Sequence, residues 1–512
     1  MAKPEGSIAD DRPTTMLVVG VIMAVAAAVR FWGVGGGLPA SLGIDEPQIM
    51  VRSLTMVKTG DFNPHFFEYP GLFLYVQAAV IVARFLAGAT TAMWSSLAQV
   101  SDSDFYLWGR TVTAALGTAT VFLLYRAGTR WGTRPALIAA AVFAVMPIHV
   151  RESHFVLTDV PMTFFVTLAL VLSLRACEEG TPAAFAWAGA AAGLAAGTKY
   201  TAWVSALIPL AGACFVVLPI DTRVRRVLVV LAGFAAAFLL VAPYTILDLP
   251  GFLNGFGGLT VHVPKGLGLI EPSWQVYLKH LRNATGWPAM ALAGGGLVAC
   301  IIGFSRGTER ARFAMVLAFL PVYWWMLISR KVIYGRYLMP TIPFVCLLVG
   351  VAVVSGATWL GRLRIPKALV TAVVAAVTAA AVVQPAWTSV EFDREMSRRG
   401  TYALAMDWIQ THVTPGARVV HDAAGLHFPS GRYQVEEMRQ LTDRGLEFYL
   451  AGNVDYVLAS SGLDEPSVAG PKNGQAQYSP YHDLFRHLTL VFSVRPSPEH
   501  PGPTVAIFVV PR

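Results

Sequence analysis

The sequence predicts a polytopic α-helical membrane protein with about 11 spans and a small external α/β domain at its C-terminal end. Two observations carry this. Of 512 residues, 55% are hydrophobic and only 14% charged, whereas a water-covered surface needs about a quarter of its residues charged. Mean hydropathy is +0.55, and the apolar residues fall in successive runs of spanning length as far as residue 386. Disordered, collagenous and coiled-coil classes are excluded by the same figures. The net charge of +8 sits in short clusters between apolar runs. That pattern sets orientation in a membrane and does not point to nucleic acid. Cys177, Cys214, Cys300 and Cys346 lie in or at the ends of apolar stretches, so no disulfide framework is expected.

The first run, about 15–34, is too long and too poorly bounded for a cleaved signal peptide and reads as an uncleaved span. Others follow near 108–126, 135–149, 160–176, 183–198, 201–219, 227–246, 287–304, 312–329, 336–357 and 367–386. Arginine-rich loops stay cytoplasmic. Four are present, carrying Arg126/Arg130/Arg134, Arg223/Arg225/Arg226, Arg306/Arg310/Arg312 and Arg362/Arg364/Lys367. All four lie inside with the N-terminus only if the apolar stretch Gly71–Gly88, interrupted by Arg84, does not cross. It is therefore read as a re-entrant or interfacial segment in a long external loop, 35–107. A full crossing there, as in a count of 12 or 13 spans, would put at least one arginine-rich loop outside. The loop 247–286 is also external. The chain divides into a membrane module, 1–386, and an external domain, 387–512. There, Val419–Val420, Tyr456–Ala459, Leu488–Phe492 and Val505–Val510 read as strands and Tyr402–His412 as an amphipathic helix.

An ionisable residue at membrane depth is costly and tends to be functional. Five clusters have no orienting role. Asp45 and Glu46 follow the first span, and Glu68 lies in "NPHFFEYPG". His149, Arg151, Glu152, His154 and Asp159 share one short loop, and Lys199 and Tyr200 occupy the turn "AGTKYTA". Arg330, Lys331, Tyr334, Arg336 and Tyr337 fill "SRKVIYGRYLMP", a basic stretch on the outer face. Each has a plainer reading. Asp45–Glu46 also suits a solvated loop-helix cap, Lys199 could snorkel to headgroups, and the Arg330–Arg336 cluster could bind anionic lipid. His149 and His154 are more often loop polar groups than ligands. Asp102 and Asp104 resemble a metal-binding Asp-x-Asp, but such loop acids are common, and Asn283 carries only a three-residue glycosylation match. Taken together, all five clusters fall on one membrane face. Carboxylates from two loops can there meet cations from two others. A carboxylate can deprotonate an acceptor hydroxyl, and Lys and Arg can hold a departing phosphate. At the bilayer surface that phosphate is expected on a lipid. Asp45, Glu46 and Asp159 also offer hard oxygen ligands for a divalent cation, and no other cofactor is indicated.

In order, Asp45–Glu46, "NPHFFEYPG", "RESHFVLTDVPMTFF", "GLAAGTKYTA" and "GRYLMPTIPF" resemble the GT-C glycosyltransferases of the protein O-mannosyltransferase and aminoarabinose transferase group over about residues 15–350. The resemblance implies a polyprenyl-phosphate-linked sugar donor, a glycan, lipid or protein acceptor, and transfer at the extracytoplasmic face of the inner or plasma membrane. It also implies roles. Asp45 would be the general base with Glu46 as a supporting acid. Lys199 and Arg336 would hold the donor phosphate, with Tyr337 adjacent and Arg330, Lys331 or Arg151 assisting. Glu68, Tyr69, His154, Asp159 and Arg151 would line the substrate pocket. Where aminoarabinose transferases carry a Lys after the Glu and an Arg three residues after the Asp, this chain has Tyr69 and Gln48. A transporter or flippase of lipid-linked sugars would show inverted repeats and midplane polar groups, and no repeat is visible. A glycan ligase or polymerase would share the site but use a polyprenyl diphosphate.

Overall fold

The computed structural model describes residues 12–38, 45–216, 219–261, 272–307, 310–330, 333–423, 426, 428, 432–451, 454–460 and 480–511. The membrane module begins with α1 (Arg12–Phe31), α2 (Glu46–Thr59), α3 (Gly71–Thr90), α4 (Tyr106–Gly128), α5 (Thr133–Ala144) and α6 (Pro147–Glu152). It continues with α7 (Asp159–Glu179), α8 (Pro182–Thr198), α9 (Leu207–Phe215), α10 (Ile220–Val241), α11 (Tyr244–Leu247) and α12 (Leu249–Val261). The last four are α13 (Ser273–Ser305), α14 (Arg310–Ile328), α15 (Ile342–Arg362) and α16 (Lys367–Met396). Among the described residues, nine helical segments are long and apolar enough to cross a membrane, and two shorter apolar ones are Thr133–Ala144 and Tyr200–Phe215.

With no hydrophobic drive between helices in lipid, close backbone packing does the work. Gly189 and Gly193 of α8 face α10 so closely that a Cβ on either would strike the carbonyl oxygens of Val230 and Phe234. At one end of the bundle, three arginine-rich loops converge on the α7–α8 turn. Arg130 pairs with Glu178 at 2.6 Å, Arg312 donates to the Arg130 carbonyl at 2.6 Å, and Arg226 donates to the Gly180 carbonyl. The remaining polar clusters lie at the opposite end.

Helix α3 explains how 71–88 fits that polarity. Twenty residues of helix span about 30 Å, so a helix running alongside α4 would end level with Gly128. Instead both halves of α3 touch the first turn of α4. Gln77 abuts Gly109, and the Arg84 guanidinium lies 5.3 Å from the Trp108 ring. The helix is unbroken from Gly71 to Thr90, and by length and composition it counts among the nine.

Helix α16 runs straight through the boundary expected at 386 to Met396. Beyond it come α17 (Thr401–His412), β1 (Arg418–His421), β2 (Gln434–Glu437), α18 (Leu446–Leu450), β3 (Tyr456–Ala459), α19 (Pro480–Arg486), β4 (Thr489–Val494) and β5 (Val505–Val509). The sheet order is β2-β1-β3-β5-β4, parallel at β2-β1-β3 and antiparallel from β3 to β4. The buried runs of β1 and β5 suit inner strands.

Candidate functional site

Four helix ends and one loop build the cluster. Asp45 is the N-cap of α2, Tyr69 stands two residues before α3, and Asp159 opens α7. Lys199 is the extended residue where α8 gives way to a 3-10 run, and Arg336 sits in the 3-10 turn Gly335–Thr341 before α15. Arg336 donates to Asp45 Oδ2 at 2.6 Å and stands 4.0 Å from Asp159 Oδ2. Lys199 Nζ donates to Asp159 Oδ1 at 2.8 Å, and the Tyr69 hydroxyl donates to Asp45 Oδ2 at 3.0 Å. The result is an alternating chain of carboxylate, guanidinium, carboxylate and ammonium. Asp45 and Arg336 are the more open pair, their side chains 21% and 17% accessible, and Lys199 and Asp159 are nearly closed off at 9% and 2%. Asp45 is thus at the mouth, and Asp159 is the most deeply buried of the four. The Lys199 ammonium also lies 4.9 Å from the Tyr337 ring and 6.0 Å from the Tyr69 ring. Burial, reinforced by Asp45, raises the Tyr69 phenol well above its ordinary range, so it remains a donor.

Several expected members stand elsewhere. Glu46 does not stand beside Asp45 as a second acid. It is fully buried and gripped by Arg110 of α4, Nε to Oε1 at 2.8 Å and Nη2 to Oε2 at 2.7 Å, while the Val156 N–H donates to Oε1 at 2.8 Å. Successive residues of a helix do not share a face, so Asp45 and Glu46 part company at the start of α2. His154 is buried against the Val150 and Trp32 carbonyls at 2.9 Å each, not free in a substrate pocket. Glu68 is exposed, with its charge felt by Arg52. Arg151 pairs with Glu152 at 2.5 Å. Burial raises the Glu152 carboxyl against the opposing pull of Arg151, and Glu152 also feels Asp159 and Arg336. Arg330 is exposed, and Lys331 lies outside the described residues. Sequence reasoning missed Arg110, Arg30 and Asp393. Arg30 and Arg110 are charges inside runs assigned to spans, which was the available signal, whereas Asp393 falls beyond the last run and carried none.

Asp45, Glu46 and Asp159 do not gather as a metal site. Each carboxylate already holds a cation, Arg336, Arg110 and Lys199 respectively. Among the described residues no group of three His, Cys, Asp or Glu side chains is placed to hold a metal ion. Next to Tyr69 the structure leaves a cleft of only about 10 Å³, lined by Phe67, Gly71, Tyr200 and Tyr244 among others. That is room for about one water. Larger spaces of about 400 and 670 Å³ lie near Arg398, at the junction with the sheet domain, and none of the five cluster residues lines them.

Residues 107–246 match the family model described as dolichyl-phosphate-mannose-protein mannosyltransferase. That stretch contains Asp159 and Lys199. Among solved structures, ArnT from Cupriavidus metallidurans in the apo state is similar with a TM-score of 0.60 at 15% identity, over 97% of this chain and 98% of that one. The chain has the GT-C glycosyltransferase fold. ArnT from the same organism bound to undecaprenyl phosphate aligns with a TM-score of 0.56 at 16% identity, again over 97% and 98% of the two chains. An oligosaccharyltransferase from Archaeoglobus fulgidus aligns with a TM-score of 0.52 at 13% identity, over 86% of this chain and 68% of that one. No curated protein matches the chain by sequence. The GT-C fold accounts for the many-spanning bundle carrying a small sheet domain behind it.

Proposed function

We propose that the protein is a glycosyltransferase of the plasma or inner membrane that moves a sugar from a polyprenyl-phosphate-linked donor to an acceptor hydroxyl on the extracytoplasmic face. The observation that carries this reading is the Asp45–Arg336–Asp159–Lys199 chain, which sets a carboxylate at the mouth and two cations behind it. The ArnT structure with undecaprenyl phosphate contains a lipid of the class this reading requires.

The chemistry follows from the order of groups. At rest Arg336 caps Asp45. A donor phosphate offers Arg336 and Lys199 a more highly charged partner than either carboxylate, and as the guanidinium turns to it the Asp45 carboxylate is uncovered. The acceptor oxygen attacks sugar C1 from the side opposite the phosphate, and its proton passes to Asp45. The C1–O bond breaks with its electron pair remaining on the phosphate, whose growing charge Lys199 and Arg336 stabilise. Configuration at C1 inverts. Tyr69 aims the Asp45 carboxylate and the Tyr337 ring backs the ammonium.

The deciding experiment supplies the purified protein with polyprenyl monophosphate and diphosphate sugars, and analyses products by mass spectrometry. Product from the monophosphate supports the reading, and product from the diphosphate alone replaces it with a ligase or polymerase. Two variants test the parts. Lys199→Met removes a charged hydrogen-bonding partner worth about 1.5–3 kcal/mol, so donor binding should weaken roughly 10- to 100-fold. Unchanged binding of undecaprenyl phosphate to this variant would remove Lys199 from the phosphate site. Tyr69→Phe deletes one neutral donor worth about 0.5–1.5 kcal/mol, so kcat should fall about two- to tenfold. A change in donor KM instead would assign Tyr69 to binding.

A further inference from the structure

The membrane module buries a second group of ionisable side chains that this chemistry does not use. Arg30 of α1, His149 of α6, His154 just beyond it and Asp393 of α16 are all at 0% exposure. Both ring nitrogens of His154 meet carbonyl oxygens, Nδ1 that of Val150 and Nε2 that of Trp32, each at 2.9 Å. A neutral imidazole has one N–H and one lone pair, so in either tautomer one contact would set lone pair against lone pair. Both contacts are satisfied only when both nitrogens carry a proton. A counter-charge stands beside them. Asp393 Oδ1 is 3.4 Å from Nε2, and among the described residues neither Asp393 oxygen has a closer hydrogen-bond partner.

The other charges facing the ring come from α1 and α4. Burial first, and the Arg110 and Arg30 guanidiniums with it, lower the His154 imidazole from its ordinary range on balance, against the two carbonyls, which favour the charged ring. Arg30 donates to the Ala26, Phe143 and Ala144 carbonyls and meets His149 Nδ1, while its charge also reaches the Asp393 carboxylate without a hydrogen bond between them. The Phe392 ring, 5.1 Å away and edge-on, closes the remaining side.

We propose that His154 is a buried imidazolium paired with Asp393, and that the pair positions the catalytic base by fixing the first external loop against α16. The second half rests on Asp45 being that base. The connection is short. His154 holds the Trp32 carbonyl, and the next residues, Gly33 and Gly36, lie so close to α16 that a Cβ on either would meet the backbone of Asp393 or Met396. The Gly36 and Val34 carbonyls then accept from Arg110 Nη1 at 2.8 and 3.3 Å. Arg110 grips Glu46, the first residue of the helix that Asp45 caps. A helix emerging into the sheet domain is thereby tied to the carboxylate at the mouth of the site.

The test uses the full-length protein, labelled with ¹⁵N-histidine and held in lipid nanodiscs. Solid-state NMR at neutral pH should show one histidine with both ring nitrogens protonated. That signature should vanish in His154→Gln and become that of a neutral ring in Asp393→Asn. A neutral His154 in the unaltered protein overturns the pairing. For positioning, Asp393→Asn should lower kcat at least tenfold with donor KM unchanged, and Asp393→Glu should recover part of the loss. Unchanged kcat in Asp393→Asn overturns positioning even where the NMR signature is present. Should Asp393→Asn fail to accumulate, the double variant His154→Gln/Asp393→Asn, which removes both charges, should accumulate better than the single one, and equal failure overturns the pairing. Undiminished turnover in an Asp45→Asn protein would strike the proposed reaction instead, and leave the NMR result standing.

Discussion

Asp45→Asn should reduce sugar transfer by about 10²- to 10⁴-fold, the usual contribution of a positioned general base, while the protein melts as before. The substitution is nearly isosteric. Asn retains an oxygen to accept from Tyr69, and removes only the basicity and the charge that Arg336 sees. Because both partners of the Asp45–Arg336 pair keep some solvent, 21% and 17%, the pair resembles a surface ion pair, worth about 0–1 kcal/mol to folding. A large kinetic loss without a stability loss is therefore expected. Binding of undecaprenyl phosphate should be retained or slightly strengthened, since Arg336 no longer has a carboxylate competing for it. Mass spectrometry of the product and thermal melting of the same sample check both halves. Turnover like that of the unaltered protein would remove Asp45 from the chemistry, and a collapse of melting would make it a structural residue.

Asp45, Asp159, Lys199 and Arg336 were legible in the sequence for one physical reason. Asp159, Lys199 and Arg336 are charges at the end of an apolar run and Asp45 follows the first one, all where orientation does not call for them, and lipid makes such charges expensive. Sequence order could not say which carboxylate takes which cation. The pairing crosses 291 residues for Asp45–Arg336 and 40 for Asp159–Lys199. Glu46 was misread because adjacency in sequence is not adjacency on a helix. Its partner Arg110 lay hidden inside a span, 64 residues away. His154 was misplaced for a similar reason: a loop histidine looks free until the helix that covers it, α16, is known. In the sheet domain, β1, β3, β4 and β5 carry aliphatic or aromatic runs and were readable. Strand β2, "QVEE", has one β-branched residue and is mostly exposed at the sheet edge, so nothing in its composition marked it.

Arg110→Ala should be the most destabilising single change in the membrane module, costing about 3–5 kcal/mol, as expected when one partner of a buried ion pair is removed. Arg110 and Glu46 are both at 0% exposure, and the guanidinium donates to both Glu46 oxygens and to the Gly36 and Val34 carbonyls. Truncation takes both guanidinium bonds from the buried Glu46 carboxylate and takes the Arg110 donor from the Gly36 and Val34 carbonyls. Arg110→Lys should fall between, because an ammonium is a point charge and cannot bridge both carboxylate oxygens in the plane of a guanidinium. The pair can be separated from its charges by replacing both. Glu46→Leu with Arg110→Met fills similar volume without any buried charge, and removal of a whole pair is often neutral for stability. Thermal melting in nanodiscs should thus order the proteins as unaltered, close to the double variant, then Arg110→Lys, then Arg110→Ala. Transfer should not follow that order. The double variant loses the hold on the Gly36 loop and on the first turn of α2, so it should melt normally yet turn over slowly, with Asp45 present but poorly aimed. A double variant with full activity would show that the Glu46–Arg110 pair serves folding alone.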